Sequence, residues 1–192
     1  MVHPAIDFMK RAHAGQVRKF SGEPYWTHPY AVAKCLRRFT QDPDIICAGY
    51  LHDVPEDTDV TIQQVESEFG NEVARIVSGV TKLALPEETS REEKFWLNTQ
   101  RLVDSNCEKI HTLKLADIWH NCRDLVEKDQ DTAVEYLPEK YILAGLLRAG
   151  SHTLRTYAIE TIETQHEQLT KENRVKFEER FQLLLNSKYR RK

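Results

Sequence analysis

The stretch LHDVPEDTDV, residues 51–60, sets one histidine and four acidic side chains close together, directly after the apolar run IICAGYL. The segment DIICAGYLHDV is apolar on nearly every side, and a helix of that kind is buried. Its last turn would carry His52 and Asp53 to the edge of an interior. An unpaired buried carboxylate costs several kcal/mol, so it needs a cation or strong hydrogen bonds. Two readings follow. One is an acidic turn in water. The other is a metal site whose next two carboxylates, Glu56 and Asp57, do acid–base work.

A second polar group interrupts KLADIWHNCRDL, residues 114–125. Leu115, Ile118, Trp119, Cys122, Leu125 and Val126 form an apolar stripe. Lys114, Asp117, Asn121 and Asp124 align on another face. That face is either a solvated Lys114–Asp117 pair or a pocket wall with Asp117 as a ligand. His28, in YWTHPY, opens a helix. Together His28, His52, Asp53 and Asp117 make two imidazoles and two carboxylates. Such a mixed nitrogen–oxygen set suits Mn²⁺, Fe²⁺ or a similar ion with positions left for water and substrate. Sulfur ligands are missing from the set, which argues against structural zinc.

These side chains must be positioned by helices, because helical periodicity dominates and no alternating strand stands out. A first helix spans residues 4–14 and stops at Gly15. QVRKFSGEPYWT is a loop with Ser-Gly and Glu-Pro turn signals. The next helix runs from about His28 or Pro29 to Phe39. Asp42 or Asp44 caps another, which ends near Val54 because Pro55 cannot continue it. Helices follow from Thr61 to Phe69, from Gly70 to about Lys82 and from about Ser90 to Asp104. Residues 108–128 read as one long helix. Another begins near Tyr136 or Pro138 and continues past Gly150, and the last spans about 171–187. Long helices with short connections give an all-α single domain.

The chain has 192 residues, enough for one domain with a real core, and a net charge of −3. That charge gives no electrostatic case for nucleic acid, and the basic tail KYRRK is too short to make one. No apolar run approaches the roughly 18–20 residues that span a bilayer, and the charged N-terminus is not a signal peptide. The cysteines, Cys35, Cys47, Cys107 and Cys122, lack C-x-x-C spacing. They read as reduced small hydrophobes in a cytoplasmic protein.

In order, RKFSGEPYWTHP, LHDVPEDTDVT, FGNEVARIVSGVTKL and KLADIWHNCRDL closely resemble the hydrolase domain of the Rel/SpoT alarmone enzymes and the stand-alone small alarmone hydrolases. Both belong to the HD metal-dependent phosphohydrolases. The resemblance covers residues 10–150 or so and implies an HD-domain helical bundle. It implies one Mn²⁺ ion on His28, His52, Asp53 and Asp117. Glu56 and Asp57 fall on the family's acidic pair, which works on the attacking water and the 3′ ester. Arg18 and Lys19 fall where relatives flank the base, with Ser21 near its edge. Asn121 matches a residue near the ribose and phosphates. Tyr141 matches a nucleotide-contacting tyrosine of the metazoan small hydrolases. Arg91, Lys94 and Lys140 read either as phosphate contacts or as surface charges.

Two departures stand out. Pro55 replaces a different residue between ligand and base. Asp124 stands where the long bifunctional enzymes often have threonine, which leans toward a small hydrolase and leaves guanine preference open. The chain has no room for synthetase and regulatory domains. The expectation is therefore a stand-alone enzyme cleaving the 3′-pyrophosphate of (p)ppGpp, with a small-molecule nucleotide as its only implied partner. One rival is another nucleotide phosphohydrolase, acting on ppApp-type alarmones or the 2′-phosphate of NADPH. A second is a non-catalytic nucleotide-binding HD module, which has no need of Glu56. Residues 151–192 lie largely outside the resemblance. Leu154, Ala158, Ile162 and Leu169 give that extension an apolar stripe that serves either its own domain or a dimer, so oligomeric state stays open.

Overall fold

The computed structural model describes residues 4–189, so the first three residues and the last three of the basic tail lie outside the description. Helix α1 covers Pro4–Ala12, α2 Thr27–Leu36, α3 Pro43–Leu51 and α4 Val54–Asp57. Helix α5 covers Ile62–Phe69, α6 Asn71–Val80, α7 Arg91–Ser105 and α8 Glu108–Cys122. Helix α9 covers Leu125–Lys128, α10 Gln130–Leu146, α11 His152–Gln168 and α12 Lys171–Tyr189. The fold is all-α. The one β pairing among the described residues is an isolated antiparallel bridge between Val17 and Pro24 in the α1–α2 loop. No helix among these residues is long and apolar enough to cross a membrane.

Several starts follow from local chemistry. Asp42 caps α3 by accepting the Asp44 N–H, and Ser90 caps α7 through the Glu93 N–H. Thr61 and Gln64 form a reciprocal capping box at α5. Gly70 separates α5 from α6 with a φ of 88°, a region open to glycine.

Helix α8 lies at the centre. It packs against α2, α3 and α6 on one side and against α11 on another, while α10 bridges to α11 and α12. Helices α2 and α3 cross closely at Gly49. A Cβ there would stand 3.1 Å from the Ala33 Cα. This contact sets His28, near the start of α2, beside His52, just past the end of α3.

Besides shifts of two or three residues at other helix ends, four features differ from the sequence reading. Pro55 does not end a helix. Helix α3 stops at Leu51, and Pro55 sits in the first turn of the one-turn helix α4, where its missing N–H costs nothing. Residues 108–128 break at Asp124. The break is covered by buried Gln165 of α11, which accepts from the Val126 N–H at 2.9 Å and donates to the Arg123 carbonyl at 3.1 Å. Helix α10 starts at Gln130, capped by Asp129, and keeps Pro138 inside it. One turn before that proline, the Glu135 carbonyl accepts a hydrogen bond from Arg91. Finally, α10 and α11 are separate. Gly150 presses on α8 so tightly that a Cβ would meet the His111 carbonyl carbon at 2.9 Å, and Ser151 caps α11.

Candidate active site

The junction between α3 and α4, the start of α2 and the middle of α8 deliver four of the expected side chains to one point. His28 Nε2 lies 3.3 Å from Asp53 Oδ2 and 3.2 Å from Asp117 Oδ1. His52 Nε2 lies 3.1 Å from Asp53 Oδ1 and 3.7 Å from Asp117 Oδ1. Donor atoms of His28, His52 and Asp53 all fall within 4.8 Å of one another. Spacings near 3 Å are those of adjacent ligands on an ion with bonds of about 2.1 Å. His52 Nε2 is buried and has no hydrogen-bond partner. Its other nitrogen lies 2.9 Å from the Gly49 carbonyl, which leaves the Nε2 lone pair directed at the carboxylates. A buried, unpartnered imidazole nitrogen facing two carboxylates suits a hard to intermediate divalent cation.

Charges around the cluster are balanced closely. Burial alone would raise the Asp117 carboxyl, but Lys114 at 2.8 Å and the two imidazoles hold it well below the usual range. Burial opposes a charge on His52, yet Asp53 and Asp117 outweigh it and raise its pKa to about 9, so near neutral pH Nε2 holds a proton that a bound cation would have to displace. Asp117 also accepts from Asn121 Nδ2 at 2.6 Å, and Arg18 donates to Asn121 Oδ1 at 3.2 Å. A polar chain thus runs from the α1–α2 loop to the cluster.

Glu56 and Asp57 stand on α4, and they face different partners. The Tyr25 hydroxyl lies 2.8 Å from Asp57 Oδ2 and 2.9 Å from Asp53 Oδ2, bridging the two aspartates. Burial, with Asp53 and Glu56 adding repulsion, pushes the Asp57 carboxyl up. Glu56 accepts the Lys82 backbone N–H at 3.1 Å and pairs with the Lys82 ammonium.

Two clefts flank the cluster. One is lined by Arg18, Lys19, Phe20, Ser21, Asn121 and Tyr136 among others, so the expected base-side residues do share a wall. The other gathers Lys82, Arg91, Lys94, Arg101, Lys114 and Lys140. Lys94 and Lys140 therefore face a common basic cleft. Arg91 is also tied to Glu139 at 2.7 Å and Glu135 at 3.1 Å. Burial and nearby Lys114 bring the Lys140 pKa down to about 8.

Tyr141 is not brought to the site. Its hydroxyl donates to Glu163 at 3.2 Å, and its ring lines a groove between α10, α11 and α12 with Phe177 and Phe181. Tyr136, one helix face away, lines the base-side cleft instead, with the Lys140 ammonium 4.4 Å from its ring centre.

Sequence reading also missed Tyr25 and His120. Tyr25 lies three residues before His28, and His120 three residues after Asp117, spacings that place each one turn from a candidate ligand. Burial, with His28 and Arg123 adding to it, pushes the His120 pKa down to about 3.

A model of the HD domain matches residues 5–143. Over 116 residues the chain is 43% identical to a guanosine-3′,5′-bis(diphosphate) 3′-pyrophosphohydrolase of Haemophilus influenzae, covering 59% of this chain and 17% of that enzyme. Over 149 residues it is 42% identical to the bifunctional (p)ppGpp synthase/hydrolase SpoT of Escherichia coli, covering 76% and 21% respectively. The chain thus spans about a fifth of the length of these curated relatives. A solved metazoan ortholog of SpoT, described as hydrolysing ppGpp, superposes with a TM-score of 0.75 at 26% identity, over 84% of this chain and 93% of that one. With the matched model spanning most of its length, this chain belongs to the HD domain family.

Proposed function

We propose that this chain is a cytoplasmic hydrolase that removes the 3′-pyrophosphate from (p)ppGpp or a close analogue, releasing GDP or GTP and pyrophosphate, with Mn²⁺ as its ion. The observation that carries the reading is the convergence of His28, His52, Asp53 and Asp117 between two clefts, one with aromatic and polar walls and one basic. The names of the relatives and the solved neighbour support the same chemistry. Four unpaired cysteines agree with a reducing compartment.

His28, His52, Asp53 and Asp117 would hold the ion. When bound, a divalent ion supplies Lewis acidity, which polarises phosphoryl oxygens and makes water acidic enough to attack near neutral pH. Arg18 offers a planar guanidinium for stacking on the base, with Lys19 and Ser21 at the mouth of the same cleft. Asn121, held between Arg18 and Asp117, would meet the ribose. Lys94, Lys114 and Lys140 offset phosphate charge from the basic cleft. Water attacks the phosphorus next to the 3′ oxygen, a new O–P bond forms and the P–O3′ bond breaks. Glu56 and Asp57 handle the protons: one is taken from the water, and one is returned to the departing 3′ oxygen. The upward shift of Asp57 suits the returning role.

The test is a chromatographic assay of ppGpp, pppGpp, ppApp and NADPH with Mn²⁺-loaded protein. Pyrophosphate released from a 3′-pyrophosphorylated nucleotide is the expected result. No pyrophosphate from any of them overturns the proposal, and orthophosphate from NADPH alone would reassign the site to 2′-phosphate removal.

A further inference from the structure

His28 and His52 present their Nε2 atoms to the same two carboxylates, yet their other ring nitrogens are held differently. His52 Nδ1 faces the Gly49 carbonyl, a group that only accepts, so the hydrogen must sit on Nδ1. His28 Nδ1 instead lies 2.8 Å from His120 Nδ1. Either ring can hold the hydrogen at that contact. If His120 donates it, neutral His28 carries its own hydrogen on Nε2, aimed at Asp53 and Asp117, and offers no lone pair there. If His120 accepts, the His28 hydrogen sits on Nδ1 and the Nε2 lone pair faces the carboxylates. Only the second arrangement can ligate a cation.

We propose that His120 is a positioning residue: it accepts the His28 Nδ1 hydrogen and fixes His28 in the tautomer whose Nε2 can hold a divalent cation. The inference rests on the metal reading above. His120 is only 7% exposed, so solvent competes little for its Nδ1. It also stands one turn from Asp117 on α8, whose packing on α2 holds the two rings together. A single helix therefore carries one candidate ligand and the group that orients another. Hydrogen-bond partners of metal-binding histidines set ring orientation and basicity, and losing one typically costs about 10- to 100-fold in affinity.

The experiment measures Mn²⁺ affinity by electron paramagnetic resonance of the free ion, for the wild type, His120→Phe and His120→Asn. Phenylalanine fills the ring's place without an acceptor, whereas the asparagine Oδ1 falls near the position of the imidazole Nδ1 and can accept. Thermal melting without metal reports whether each variant folds, and His120→Ala replaces the phenylalanine variant if that one does not. The expected result is a loss of about 10- to 100-fold in affinity for His120→Phe, largely restored in His120→Asn. Equal affinity in wild type and His120→Phe overturns the inference. So does an equal loss in both variants when both melt like the wild type. If the wild type itself takes up no Mn²⁺, the metal reading falls first, which separates the two failures.

Discussion

Asp117 and Glu56 carry opposite consequences when removed. Asp117 is buried and shared by His28, His52, Lys114 and Asn121, so Asp117→Ala removes one proposed ligand and leaves the Lys114 charge without its carboxylate. Mn²⁺ affinity should fall by more than about 100-fold, read by the same free-ion titration. Glu56 is engaged by the Lys82 backbone N–H and ammonium rather than by the four candidate ligands. Glu56→Ala should therefore keep the ion and lower turnover by about 10²- to 10⁴-fold, the range for a lost general acid or base. A Glu56 variant that loses the metal would contradict the separation of roles. Lys140 gives a pH prediction. Its pKa is lowered to about 8, so it is cationic below that pH and neutral above it. Affinity for pyrophosphate should weaken as pH rises through 8, and calorimetry on Lys140→Met should show binding about tenfold weaker at pH 7 and a flatter profile. The four candidate ligands were legible because carboxylates and imidazoles on otherwise apolar helices need a reason. His120 was not, because its partner His28 lies 92 residues away and no local pattern pairs them. Tyr141 was misplaced because it stands five residues past Tyr136 on α10, a rotation of about 140° that points it at the C-terminal helices.

The helices matter to the site mainly through how closely α2 and α3 approach. At Gly49 an added Cβ would fall 2.7 Å from Leu36 Cδ1 and 3.1 Å from the Ala33 backbone, and only the first can move cheaply. Gly49→Ala should push the two helices apart, cost about 1–3 kcal/mol of stability and weaken Mn²⁺ binding, because His28 and His52 ride on the separated elements. Gly145 on α10 is the control, since a Cβ there meets nothing within 4 Å. Gly145→Ala should raise the melting temperature slightly, by up to about 1 kcal/mol of added helix preference, and leave metal affinity unchanged. Equal effects of the two substitutions would refute the close-approach argument. Element boundaries show where local chemistry decides and where it does not. Asp42, Thr61 and Ser90 cap helices as their sequences suggest, because the hydrogen-bond partners are two or three residues away. The break at Asp124 is invisible locally: its freed backbone groups are satisfied by Gln165, about forty residues on. The α10–α11 break likewise depends on Gly150 seating against α8.

At the scale of the whole molecule, the segment after the matched HD-domain model is bound to the part that carries the site. Leu154, Ile162 and Leu184 are at most 1% exposed, and Leu169 and Phe177 are buried as well. Trp96 of α7 donates to the Leu184 carbonyl at 3.0 Å, and Arg180 of α12 joins Glu92, Glu135 and Glu139 in one ion-pair network. Each of these five large apolar side chains gains about 1.5–3 kcal/mol on burial before the entropy of ordering it is counted, which ties the extension to the body of the fold. We therefore expect residues 1–192 to act as a single folding unit. A chain ending at Gly150 would expose the faces of α8 and α10 that α11 and α12 cover, and would leave the Arg123–Val126 break without Gln165. That chain should lose its cooperative thermal transition, measured by circular dichroism, and take up Mn²⁺ poorly, because α8 carries both Asp117 and His120. A truncated protein that melts cooperatively within a few degrees of the full chain, with unchanged Mn²⁺ affinity, would show instead that α11 and α12 form an appendage and that the site needs only the helices before them.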